Sequence, residues 1–427
     1  MMVSENPATP SPRPISRFLR VAVWLPFLFL LTKSAILALP TYGVDFMVYH
    51  GAARMFLNGE NPYLRQETLL GPMTYPVFGL LWCVPFALLP LSVADTAWDL
   101  FQLALLGGTV ALLMFGYRPR PGGEDAGEFL RPGCSREPLV SEADLHRYWP
   151  LIVPLLVATF TPACLEFVPG NIQQLNLFLV TLLGVALLRG RETLAGGVLA
   201  ALCGIKVLPV VLFPALWVVG KRRTLAVCGA ALAGYGVLLL ATGWWRYEVD
   251  LFTRLMPQFS TIGLEYDRTL TSVALVAGKF FFPRLLESRE IFGPAVRGCS
   301  LGVGLVYLGA LWLGRAHYRR VWPDGLSLGL MTMVLVCPVT TFAHFSYILP
   351  GYVWLFLTYL RTREHVYFVL SLIFWGIIFG TRISLDSVIL SGFSFPDIAL
   401  MALGGLWVLN MVRGIFLARR VSFSPAG

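Results

Sequence analysis

Long apolar runs separated by short polar stretches dominate the chain. They lie near residues 21–39, 76–92, 97–117, 149–168, 172–188, 193–220, 224–242, 297–314, 326–342, 347–360, 366–381 and 397–416. Most approach the length of about 20 apolar residues that a helix needs to cross a bilayer. None shows the strict alternation over about ten residues that marks a transmembrane strand, so a β-barrel is excluded. The expected fold is all-α, a polytopic transmembrane helical bundle of about 12 membrane segments.

The polar stretches organise the rest. Residues 1–20 carry Pro7, Pro10 and Pro12, then Arg13, Arg17 and Arg20. They read as a disordered cytoplasmic N-terminus before an uncleaved first helix. Residues 41–75 hold too many charges to cross a membrane. Within them VDFMVYHGAARMFLNG predicts a short amphipathic helix stopped by Asn58-Gly59 and lying along the membrane outside the cytoplasm. Residues 118–147 form a Pro/Gly-rich solvated loop, and 243–296 a second long external loop. One transmembrane domain over 21–420 is expected, with no repeat of 20–50 residues.

Composition names the solvent. Hydrophobic residues make up 56% and charged residues 13%, against about 25% charged in a typical soluble protein. Lys and Arg exceed Asp and Glu by 33 to 24. The surplus gathers in short clusters: Arg189/Arg191, Lys221–Arg223, Arg315/Arg319/Arg320, Arg361/Arg363 and Arg413/Arg419/Arg420. Such clusters mark cytoplasmic loops. No basic run interleaved with aromatics supports a nucleic-acid partner.

The clusters constrain the path. Residues 193–220 have basic flanks on both sides. Either they form a hairpin with its tip at Ile205–Pro209 and Lys206 at the turn, or one tilted helix buries Lys206. The hairpin is preferred. An internal N-terminus and an internal Arg189 require an even number of crossings, yet five apolar runs precede Arg189. One run is re-entrant, or one cluster breaks the rule.

Few residues remain to carry chemistry. The seven cysteines form no CxxC pair and read as small core residues, without a metal or disulfide framework. HExxH, Walker A and GxSxG patterns are absent, which weakens metal, ATP-driven and serine-hydrolase readings. Asp45 is either a helix N-cap or a general base at the membrane face. Asn61-Pro62-Tyr63 and Pro72–Pro76 punctuate turns. The amides of Asn171, Gln173, Gln174 and Asn176 either glue helices together or line a polar cavity. Lys206 either snorkels or meets a phosphate. His344 stands alone at an external junction.

In their order, these stretches resemble glycosyltransferase family 87 of the C-type glycosyltransferase superfamily. The resemblance starts with D-x-x-x-Y at Asp45–Tyr49 and a small-residue helix to Ala53. It continues through Gly59–Tyr63, Tyr75-Pro76 and Gly170–Asn176. Arg189–Arg191, Leu194–Gly196 and Ile205–Pro209 follow, and a proline-containing segment leads to His344. It covers roughly residues 20–350. The late tryptophan and paired histidines frequent in the family are here Thr341 or Phe342, with His344 alone.

The resemblance implies a C-type glycosyltransferase fold in the cell membrane with an extracytoplasmic active site. It implies a polyprenyl-phosphate sugar donor, in the first instance a mannosyl donor, and a lipid or glycan acceptor, with no cofactor and no metal. Asp45 would be the catalytic base and Lys206 the cation at the leaving phosphate. His344, Gln174, Asn176, Tyr49 and Tyr63 would complete substrate binding. The rival class is a polytopic transporter or lipid flippase. The polar residues gather at one face and in two long loops, without an inverted repeat, which weighs against it.

Overall fold

The computed structural model describes residues 32, 43–63, 73–118, 142–158, 170–257, 270–281, 289–338, 340–362, 365–379 and 395–422. The N-terminal segment 1–20, the first helix expected at 21–39 apart from residue 32, and most of the 118–147 loop lie outside these residues.

The described chain is helical almost throughout. Its helices are α1 Val44–Leu57, α2 Val77–Leu81, α3 Val84–Ala87, α4 Leu91–Gly116, α5 Glu142–Ala158, α6 Gln173–Leu188 and α7 Glu192–Ile205. Next come α8 Leu212–Val218, α9 Arg222–Thr242, α10 Trp245–Asp250, α11 Val273–Phe281, α12 Arg289–Leu313 and α13 Arg315–Arg320. The last are α14 Trp322–Leu335, α15 Leu349–Thr362, α16 His365–Phe379 and α17 Phe395–Ser422. The exception to an all-α fold is one antiparallel pair, β1 Leu270–Thr271 with β2 Thr340–Thr341. Leu91–Gly116, Arg222–Thr242, Glu290–Leu313 and Asp397–Arg419 are each long and apolar enough to cross a membrane. The protein is therefore a helical membrane protein.

Prolines set the breaks that matter. An α-helical bond to the Ile205 carbonyl would need the N–H of residue 209, and Pro209 has none. So α7 stops at Ile205, Lys206 turns extended (φ −149°, ψ 131°), and Leu208–Val211 resumes as a 3₁₀ turn. The same logic ends α14 before Pro338. There the Thr340 hydroxyl donates to the Val334 carbonyl (3.1 Å), replacing the amide that Pro338 lacks.

The chain doubles back across 192–221. Lys221 Nζ lies 3.6 Å from Glu192 Oε1, and Thr224 Oγ1 reaches the Glu192 carbonyl (3.4 Å). Lys206 is thus the tip of a hairpin. The 14 residues of α7 rise about 21 Å. Helix α9 packs along α7 at close range. A β-carbon at Gly196 would fall 2.6 Å from the Thr224 carbonyl oxygen, so glycine is required for that approach.

The run at 76–92 departs from the expectation of a span. This run is two short helices, α2 and α3, that stay at one end of the bundle. Gly79 abuts Ile205 at the hairpin tip, and the Leu89 carbonyl lies 3.2 Å from His50 Nε2 on α1. Helix α4 then runs the length of the bundle. Its first turn meets Gly43 through Asp95, and its last meets Arg189 through the Phe115 carbonyl. The segment 76–92 is thus not one membrane-length helix.

Helix α1 is present where expected, with Asn58 as C-cap and Gly59 at φ +76°. Rather than lying free, it buries Phe46, Tyr49, Ala52 and Ala53 in the common core. Phe46 stacks on Trp98 of α4, ring centroids 5.2 Å apart. Of the seven cysteines, Cys83, Cys203, Cys228 and Cys337 are buried free thiols and Cys299 is half-buried. Cys134 and Cys164 lie outside the described residues.

Candidate active site

Three separate parts of the chain meet at the end of the bundle where α7 breaks. They are the start of α1, the hairpin tip at Lys206, and the 3₁₀ turn Phe342–Ile348 that follows β2.

Asp45 sits in the first turn of α1, one residue inside Val44. Gly43 is the N-cap, and no side chain caps the helix. The N-cap reading of Asp45 therefore fails. Its Oδ2 instead accepts a hydrogen bond from Asn171 Nδ2 at 2.6 Å. Asn171 is itself oriented, because its Oδ1 accepts from the Gln173 backbone N–H (3.0 Å) at the head of α6. Gly170 makes this contact feasible. It has φ +70°, and a β-carbon there would lie 2.8 Å from Phe46 Cβ. Its carbonyl accepts from Trp98 Nε1 (2.8 Å). Burial pushes the Asp45 carboxyl above its ordinary range, while the Asn171 bond and the charge of Lys206 pull it back down.

Lys206 and His344 face each other. Lys206 Nζ lies 2.6 Å from His344 Nε2 and 5.4 Å from the centre of the Tyr75 ring. The other imidazole nitrogen is committed. The Thr341 backbone N–H points at His344 Nδ1 (3.0 Å), and the Thr341 hydroxyl also lies 2.9 Å from it. A backbone amide can only donate, so Nδ1 is the acceptor and Nε2 carries the proton in the neutral ring. His344 is held neutral, its pKa lowered first by burial and then by Lys206. Lys206 and His344 thus bring two nitrogen groups that can both donate to a ligand to one point of the site. That arrangement suits an anion.

Tyr75 lies below Lys206, and the 75–77 segment is pinned at two points. Tyr63 OH donates to the Tyr75 carbonyl (2.7 Å). Glu248 Oε1 accepts from the Val77 N–H and from Tyr235 OH, each at 2.9 Å. Burial raises the Glu248 carboxyl above its ordinary range. The Tyr63 loop is anchored in turn, since Asn61 Nδ2 donates to Asp250 Oδ2 (2.7 Å). Tyr49 packs edge-on against Tyr75, centroids 5.6 Å apart, and is buried.

The amide stretch heads α6. Asn176 Nδ2 donates to Gln173 Oε1 (2.8 Å), while Asn176 Oδ1 is buried without a hydrogen-bond partner. Gln174 is buried one residue along. The structure thus gathers Asp45, Lys206, His344 and Tyr49 at one end and sets Gln174 and Asn176 on the adjoining helix start. Tyr63 joins this group through its bond to the Tyr75 carbonyl. Among the described residues no group of three or more His, Cys, Asp or Glu side chains is arranged to hold a metal.

The sequence reading underused Asn171, Tyr75 and Thr341. The first two stood inside quoted motifs, as one of four amides and as half of Tyr-Pro, without individual roles. Thr341 was noted only as a departure from the family's late motif, and its part is played by a backbone N–H.

A comparison with protein families decides the class. The model of glycosyltransferase family 87 matches residues 73–338. The chain belongs to glycosyltransferase family 87. No curated protein matches it. The membrane glycosyltransferase thus carries within its family-matched region the amide stretch, the hairpin tip and Tyr75, whereas Asp45 and His344 flank that region on either side.

Proposed function

We propose that the enzyme transfers a hexose, in the first instance mannose, from a polyprenyl-phosphate donor to a lipid or glycan acceptor, with inversion, at the extracytoplasmic face. The observation that carries this reading is the meeting of Lys206 and His344 at 2.6 Å, beside a carboxylate within reach of the lysine's charge. In the proposed reaction Asp45 takes the proton of an acceptor hydroxyl as that oxygen attacks the anomeric carbon. The bond from that carbon to the phosphate oxygen breaks, and its electron pair leaves on the phosphate. Lys206 and His344 stabilise the developing negative charge there, where preorganised donors count most. Attack opposite the leaving group inverts the anomeric centre. The polyprenyl chain accounts for a site at the end of a membrane bundle rather than in a soluble domain.

The test is direct. Purified protein is offered radiolabelled polyprenyl-phosphate mannose with membrane lipid acceptors, beside Asp45→Asn. Transfer by the wild type and loss in Asp45→Asn is expected. Equal transfer by both proteins would sink the base assignment. Transfer from a nucleotide sugar but from no lipid-linked sugar would sink the donor assignment.

A further inference from the structure

The orientation of His344 depends on a clasp assembled from parts of the chain far from it in sequence. The Thr341 N–H that holds Nδ1 belongs to β2, and among the described residues β2 pairs with β1, with Leu270 opposite Thr341 and Thr271 opposite Thr340. A two-residue pair is too short to hold itself together in isolation. It is tied down from outside. Thr271 Oγ1 donates to Asp397 Oδ1 at 2.5 Å, and Lys279 Nζ meets Asp397 Oδ2 at 2.8 Å. Thr271 is 1% exposed and Asp397 is fully buried. A carboxylate placed there would be costly unless it were used, and both of its oxygens are. Asp397 begins the long helix α17, a rigid support beyond the family-matched region.

We infer that Thr271 and Asp397 are positioning residues of the active site. They clamp β1 on β2, fix the Thr341 amide against His344 Nδ1, and so keep the proton on Nε2, facing Lys206. The inference rests on the reading that His344 meets the leaving phosphate. Its structural half, the tautomer, is independent of that reading.

The experiment uses full-length protein labelled with ¹⁵N-histidine, in detergent and without substrate. His344→Gln identifies the His344 resonances. The wild type should show His344 as the neutral Nε2–H tautomer. Thr271→Val, which removes the hydroxyl but keeps the shape, should give mixed tautomers and lower kcat about tenfold, with little change in donor KM. Thr271→Ser should restore both. Asp397→Asn provides a second variant should Thr271→Val fold poorly, with the same direction expected. If the variants retain the Nε2–H tautomer, the inference is overturned. If the tautomer shifts but the wild type transfers no lipid-linked sugar, the clasp stands and the proposed donor falls.

Discussion

Two carboxylates at opposite ends of the bundle, one fully buried and one half-buried, are used in opposite ways. Asp324, in the first turn of α14, is fully buried. Its Oδ2 accepts from His317 Nε2 (2.7 Å) and Arg413 Nη1, and its Oδ1 from Trp354 Nε1 (3.3 Å). Asn410 Nδ2 closes on its backbone carbonyl (3.3 Å). Asp45 is half-buried, and among the described residues Asn171 is its hydrogen-bond donor. The charge of Lys206 acts on it, and Lys206 itself lies against His344. One carboxylate has spent its acceptor capacity on the fold, the other has kept it. A buried charge with its partners in place is structural. One held by a single amide keeps acceptor positions open.

This comparison corrects the sequence reading of Arg413. It was grouped with Arg419 and Arg420 as a cytoplasmic loop charge. It is 1% exposed inside α17, with its guanidinium 5.3 Å from the Tyr359 ring centre, and it neutralises Asp324. A charge cluster in the sequence does not reveal which member turns inward.

The largest effect should come from breaking the saturated cluster. Asp324→Ala leaves Arg413 buried without its counter-charge and should cost about 3–5 kcal/mol of stability. Thermal unfolding in detergent should show it, while kcat per folded molecule stays close to wild type. An unchanged melting temperature would contradict the structural role. Asp45→Asn should do the reverse, lowering kcat roughly a hundredfold to a thousandfold with little effect on unfolding. A loss of stability there instead of rate would merge the two clusters into one kind.

Smaller changes probe how Asp45 is held. Gly170→Ala forces a β-carbon against Phe46 at positive φ and should cost about 1–3 kcal/mol, with a fall in kcat as Asn171 shifts. The finest test is the acid limb of the pH–rate profile. Asp45 works deprotonated, so activity is lost as pH falls through its pKa. Asn171 and Lys206 both lower that pKa, Asn171 the more strongly. Asn171→Leu and Lys206→Met should therefore each move the acid limb to higher pH, with the larger shift in Asn171→Leu. A limb moving to lower pH in either variant would refute this account of Asp45.

Much of the frame was legible because its causes are local. Apolar run length announced the spans, Asn58-Gly59 the end of α1, and flanking basic residues the hairpin with Lys206 at its tip. Pro209 made the break in α7 unavoidable. The segment 76–92 was misread as a span because hydropathy does not register Pro85, Pro90 and the two short helices between Pro76 and Leu91. Asp45, Lys206 and His344 could be named because charged or titratable residues next to apolar segments are few.

The sequence by itself determined the solvent, the helical class and a short list of chemical groups, since each follows from side chains considered singly or from neighbours along the chain. Tertiary structure alone decided which of those groups face one another. It decided that Asn171 holds Asp45, that a backbone amide sets the His344 tautomer, and that Arg413 is spent on Asp324. Those outcomes depend on contacts between residues 89 to 138 positions apart, or on main-chain direction. Neither leaves a mark in local composition.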